Sequence, residues 1–229
     1  MRTERAINQK AVYVILGYDI NGNKDILGLW INETEGKHTW MQIFDEIKSR
    51  GVQDVGFISM DGVSGLEEGA RAIFPGTVVQ RCIVHLIRNS LRYVPWNQSR
   101  EFMRELKAIY RAVNVEEARR LFAAFKEKWS QFPGAISVWE RNFSHVEQLF
   151  NYGPDVRKVM YTTNAIESIN SSFRKVTKKG SFQNNEAVMK IFYLRILELK
   201  NKKWKGKGRV SNWPAVRNQL LIDDRIGQL

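Results

Sequence analysis

Apolar positions along the chain change period several times, and each change predicts an element. Residues 11–16, AVYVIL, and 26–31, ILGLWI, are β-branched and aromatic runs of strand length. Asn21-Gly22 lies between them and predicts a hairpin, because Asn and Gly tolerate the positive φ of a type I′ turn. The period then turns helical: Trp40, Ile43, Phe44 and Ile47 share a face, with Gly51 as the stop. DVGFISM (54–60) predicts a short buried strand ending at Asp61-Gly62. Leu66, Ala70, Ile73 and Phe74 predict a second helix closed by Pro75-Gly76, and TVVQRCIV (77–84) a last strand. Strand, strand, helix, strand, helix, strand is the order of a mixed α/β half-domain.

From His85 the pattern is helical. Phe102, Leu106, Ile109 and Val113 form one stripe, and Ala118, Leu121, Phe122, Phe125 and Trp129 a second. Pro133-Gly134 breaks the pattern before SVWERNFSHVEQLF (137–150). Stripes at this spacing predict a helical core. NYGPD (151–155) closes the block, and Ile166, Ile169, Phe173 and Val176 predict one more helix. The expected organisation is an α/β part at 1–84, an all-helical part at 85–160, and a closing helix with a C-terminal segment at 161–229.

Charge changes the picture at the C-terminal end. The net charge is +12, and residues 168–219 hold thirteen Lys or Arg against two acids, Glu186 and Glu198. A bare basic tail serves solubility. Here Phe173, Phe182, Phe192, Tyr193, Trp204 and Trp213 are interleaved with the cations, which predicts a folded basic surface for a polyanion, nucleic acid before anionic lipid. KNKKWKGKGR (200–209) reads as an exposed basic loop. The single cysteine, Cys82, excludes an intramolecular disulfide and suits a reducing compartment. MRTERAINQK carries no apolar signal segment and no apolar run reaches bilayer length, so a soluble intracellular protein is expected.

Two carboxylates are candidates for chemistry. Glu167, in YTTNAIESIN (161–170), has the sequence form of a capping box with Asn164, a pattern repeated at Ser64/Glu67 and Asn114/Glu117. By itself it reads as a cap more readily than as a metal ligand. Asp61 ends a strand before the loop GVSG, where α/β proteins gather ligands, although Asp-Gly also simply makes a turn. Cys82 and His85 are half of a zinc site, but no second cysteine exists to complete one.

The ordered motifs GFISMDGVSGLEEGARAIFP, QRCIVHLIRNSLRYV and VMYTTNAIESINSSFRKVTKKGSF resemble the Mutator-type transposases of bacterial insertion sequences, from about residue 8 to the end of the chain. The resemblance implies an α/β, RNase H-like core interrupted by an all-helical insertion, and an Asp-Asp-Glu triad binding Mg²⁺, with Mn²⁺ as the alternative. Asp61 matches the second aspartate and Glu167 the glutamate, both as catalytic and metal-binding residues; Cys82 and His85 match a C-x-x-H element near the active site. Arg174, Lys175, Lys178, Lys179, Lys202, Lys203 and Lys205 are the expected DNA-binding residues, on double-stranded transposon ends and target. A homo-oligomer in the bacterial cytoplasm, beside the nucleoid and off the membrane, is the expected setting. The family's first aspartate lies on a strand that would precede Met1, so a core lacking its first strand, with weakened metal binding, is expected. The competing expectation is a non-catalytic DNA-binding protein that interferes with an intact transposase.

Overall fold

The computed structural model describes residues 10–32, 36–161, 164–178, 182–203 and 210–222. It is a mixed α/β protein, mostly helical, that divides into two compact units. The first comprises residues 1–54, 64–75 and 164–214, and the second residues 55–63, 76–163 and 215–229.

In the first unit β1 (Ala11–Tyr18) pairs antiparallel with β2 (Lys24–Asn32). The register shifts between Ile15 and Leu16, so Leu16 sits opposite Ile26 while Ile15 sits opposite Gly28. This bulge at Leu27 reverses the side-chain alternation of β2. Ile26 and Leu29 thereby join Val12, Val14 and Leu16 against α9 (Asn164–Thr177) and α10 (Asn185–Glu198), through Ile169, Phe173, Phe192 and Ile196. Tyr13 serves the opposite face, where its ring meets Trp40 of α1 (Lys37–Ser49) edge-on at 5.0 Å. All four residues of the predicted stripe of α1 are buried, and Gly51 follows its end with φ 104°. The helix α2 (Leu66–Ile73) packs on α1, its Gly69 leaving room for the Trp40 side chain.

The loop between β1 and β2 is longer than the two-residue turn expected from Asn21-Gly22. Asp19 organises it: its carboxylate accepts from the backbone N–H of Asn21 (2.9 Å) and of Asn23 (2.8 Å), and from the Asn23 side chain. Gly22 alone takes a positive φ, 76°. Its missing Cβ makes room for the ring of Trp213, which opens α11 (Trp213–Leu220). The Trp213 indole N–H donates to the Ile20 carbonyl at 2.9 Å.

In the second unit β3 (Phe57–Met60) and β4 (Val78–Arg81) pair in parallel, Met60 opposite Arg81. The strand expected to run to residue 84 stops at Arg81, and α3 (Ile83–Leu91) begins two residues later with Cys82 as its N-cap. The helices α4 (Trp96–Tyr110), α5 (Val115–Lys128) and α6 (Pro133–Glu140) follow. Pro133 starts a helix rather than merely ending one, since its missing N–H is unneeded in the first turn. The segment 137–150 is split at Arg141-Asn142 into α6 and α7 (Phe143–Gln148). Val113, expected on the α4 stripe, lies past the end of that helix and is exposed. A short 3-10 turn and α8 (Pro154–Met160) close the series. Trp139, wholly buried, donates to Ser90 Oγ at 2.7 Å, and Ser90 donates in turn to the Leu86 carbonyl, tying α6 to α3. Beneath β4, the buried Gln80 amide donates to the His145 carbonyl of α7 at 2.7 Å.

The described strands thus form two separate two-stranded sheets. No described helix is long and apolar enough to cross a membrane.

Candidate functional site

Asp61 and Glu167 fall in different compact units. In the second unit, parallel pairing brings the carboxyl ends of β3 and β4 side by side, because Asp61 follows Met60 and Cys82 follows Arg81. The Cys82 N–H donates to the Met60 carbonyl at 2.7 Å, extending the ladder to the point where both chains leave the sheet. Asp61 is exposed there, and among the described residues no donor or cation pairs with its carboxylate. Gly62 follows with φ 89°, a conformation that disfavours any side chain. The Arg81 guanidinium lies over it, and a Cβ on Gly62 would stand 2.3 Å from Nη1. A guanidinium lying over the Asp61-Gly62 turn brings a positive charge to this edge.

The N-terminus of α3 opens at the same edge and adds the partial positive charge of its unpaired N–H groups. Cys82, buried, and His85, half-buried, stand one turn apart on its first turn. The His85 Nδ1 is shielded from solvent and takes no hydrogen bond from the described residues. The edge therefore combines an exposed carboxylate with a guanidinium and the N-terminus of a helix. Sequence reasoning missed Arg81. Its signal was its position: it is the last residue of the strand that pairs with the one ending at Asp61.

In the first unit, α9 carries Glu167. The helix begins at Asn164 itself, so Glu167 is its fourth residue and not the third residue after an Asn164 cap; the Asn164 side chain lies outside the described residues. Ser64 does not cap α2 either, since Gly65 with φ 75° occupies that position. The third capping pair is real: the Glu117 N–H donates to Asn114 Oδ1 at 2.8 Å. Glu167 is half-buried, and its Oε1 is shielded from solvent. At i, i+7 and i+11, Glu167, Arg174 and Lys178 share one strip of α9 opposite the buried Ile169 and Phe173. Arg174, Lys175 and Lys178 are exposed. Lys179 and Lys205, and the side chains of Lys202 and Lys203, lie outside the described residues. Lys200 forms an ion pair with Asp25. Among the described residues no group of three or more His, Cys, Asp or Glu forms a metal cluster.

The sequence profile described as "Transposase, Mutator family" matches residues 1–206. The chain belongs to the Mutator family of transposases. It is 41% identical over 225 residues to the transposase for insertion sequence element ISRM3 of Rhizobium meliloti, covering 97% of this chain and 56% of that relative. A probable insertion-sequence transposase of Corynebacterium diphtheriae is 36% identical over 202 residues, covering 87% and 59%. The transposase for IS1201 of Lactobacillus helveticus is 30% identical over 185 residues, covering 79% and 49%. The chain spans about half the length of the curated relatives it matches.

Proposed function

We propose that this chain is catalytic-core sequence of a transposase, an enzyme that cuts double-stranded DNA at transposon ends and joins it to a target. The observation that carries the reading is the exposed carboxylate of Asp61, unpaired among the described residues, at the carboxyl end of a parallel strand, in a chain whose relatives are named transposases. Asp61 and Glu167 are hard-oxygen donors of the kind Mg²⁺ or Mn²⁺ takes, and the exposure of Asp61 leaves its oxygens available. With an ion bound, such a site supplies a Lewis acid that activates an oxygen nucleophile and stabilises the leaving oxygen of the scissile phosphodiester. The protein's own part is positional. Asp61 is set by the strand end, and the Arg81 charge lies beside it for a phosphate oxygen. Cys82 and His85 line the first turn next to it. Arg174, Lys175 and Lys178 give α9 a cationic surface for the DNA backbone, sequence-independent and salt-sensitive. The RNase H-like core and the homo-oligomer belong to the same reading.

The basic C-terminal segment supports a second reading, in which the chain binds DNA without cutting it. Asp61→Ala separates the two. With labelled duplex and Mg²⁺, the first reading expects metal-dependent cleavage that the substitution abolishes while DNA binding persists. Cleavage that survives Asp61→Ala refutes the assignment of Asp61, and binding without metal-dependent cleavage in the wild type favours the second reading.

A further inference from the structure

One face of α4 carries a row of exposed cations headed by an exposed tryptophan. Trp96, Arg100, Arg104, Lys107 and Arg111 recur at steps of four, four, three and four residues, which puts them on a single strip at 3.6 residues per turn. The strip starts within the helix and ends at its C-cap, Arg111. Every member is exposed, and Trp96 is 90% exposed, the largest value among the exposed large hydrophobic residues. Arg100, Arg104 and Lys107 of the strip line a shallow open groove together with Asn97, Met103 and the edge residue Glu101.

Charge is segregated around this helix. Its acids, Glu101 and Glu105, both bind Lys128 of α5, at 2.7 and 2.6 Å. They are thereby held on the flank facing α5, and Phe102, Leu106, Ile109 and Tyr110 fill the buried side. Among the described residues, Arg100 and Lys107 enter no ion pair, and Arg104 only a loose one with Glu101 at 3.8 Å. Arg100, Arg104 and Lys107 are thus left largely unneutralised along a straight row, while Arg111 at its end interacts with the side chain of the buried Tyr110.

We infer that this strip of α4 is a nucleic-acid contact: its cations take consecutive backbone phosphates and Trp96 stacks on a base at the end of the row. From Arg100 to Arg111 the row is about 16 Å long at 1.5 Å per residue. That length matches several phosphates along one strand. Charge complementarity identifies the ligand as a polyanion, and the aromatic plane at the end of the row selects a nucleic acid over a simple anionic surface. The choice of DNA as that nucleic acid rests on the function proposed above. The helix belongs to the second unit, whereas residues 168–214 of the basic C-terminal segment belong to the first.

The test uses the whole chain and fluorescently labelled DNA, either blunt duplex or duplex with a single-stranded overhang, over a series of salt concentrations. The triple variant Arg100→Gln, Arg104→Gln, Lys107→Gln removes three charges. The slope of log K against log salt is then expected to become shallower by about 2.7, at about 0.9 per phosphate contact. Trp96→Ala is expected to weaken binding about tenfold on overhang DNA and little on blunt duplex. All four side chains are exposed, so circular dichroism and melting temperature are expected to stay as in the wild type. A Lys202→Gln, Lys203→Gln, Lys205→Gln variant serves as the comparison for the basic C-terminal segment. An unchanged salt slope in the α4 variant, with the wild type binding, overturns the α4 contact alone. Equal loss on both DNAs for Trp96→Ala overturns the stacking assignment. If the wild type binds neither DNA, the reading of the chain as DNA-binding falls first and this contact falls with it.

Discussion

Gly62 and Gly65 stand three residues apart in the loop after β3, both with positive φ, 89° and 75°. They differ in what an added methyl group would meet. At Gly62 the nearest atom is Arg81 Nη1 at 2.3 Å, the far end of a flexible side chain, with the next atom at 3.5 Å. At Gly65 the neighbours are backbone at the start of α1: Lys37 N at 2.2 Å, and Gly36 C and Lys37 Cα at 2.7 Å. Placing alanine in the left-handed region costs about 1–2 kcal/mol at either site. Lower unfolded-state entropy returns about 0.4–1 kcal/mol. Gly62→Ala should therefore cost about 1 kcal/mol, because the guanidinium can swing away. Gly65→Ala must also displace rigid backbone, an overpacking cost of about 1–3 kcal/mol more. Urea denaturation followed by circular dichroism and by tryptophan fluorescence would measure both variants. The expected order is a small loss at Gly62 and a loss two- to fourfold larger at Gly65. Equal costs, or a larger one at Gly62, would refute the contact argument. The Gly62 variant should meanwhile free Arg81 from the Asp61 turn, a disturbance of the site out of proportion to its effect on stability.

Other expectations follow from single contacts. Asn114→Ala removes the side-chain cap of α5 and should cost about 1 kcal/mol, whereas Asn114→Gly should cost only a few tenths, as read by thermal melting. Phe173→Ala empties the centre of the cluster joining α9 and α10 to the hairpin, where its ring meets Phe192 at 4.5 Å, and should cost about 3–5 kcal/mol. A loss under 1 kcal/mol would mean that this cluster is not a packed core. The Lys128 ammonium, hydrogen-bonded to Glu101, holds that carboxyl below the usual carboxylate range. A depressed folded-state pKa adds stability above the unfolded-state pKa and loses it as pH falls through the folded value. The melting-temperature gap between wild type and Lys128→Met should therefore be open at pH 7 and close as the pH drops below the carboxylate range. A gap constant with pH would exclude the ion pair as its source.

Local chemistry is legible in the order of residues. The stripes of α1, α4 and α5 are buried apart from Val113 and Leu121, which is only partly covered; the Asn114 cap forms, and Gly51 follows its helix as expected. The position of Asp61 at a strand end was legible because a short apolar run closed by Asp-Gly is a pattern within a few residues. Errors came where distant residues decide. TVVQRCIV has strand composition throughout, yet parallel pairing with Phe57–Met60 stops at Arg81, and Ile83 joins a helix. Asn21-Gly22 has the composition of a tight turn, but the Asp19 carboxylate binds two backbone N–H groups and sets a longer loop. Helical periodicity follows from steric and hydrogen-bonding preferences within one or two turns of chain, so the sequence alone determines it, whereas of the capping pairs of one pattern Asn114/Glu117 forms and Ser64/Glu67 does not. The bulge that turns Ile26 toward α9 and α10, Arg81 over Gly62, and Trp213 against a hairpin nearly two hundred residues earlier were decided only by the tertiary structure. In each, the partner that makes the conformation favourable is brought close by packing, and no local preference encodes it.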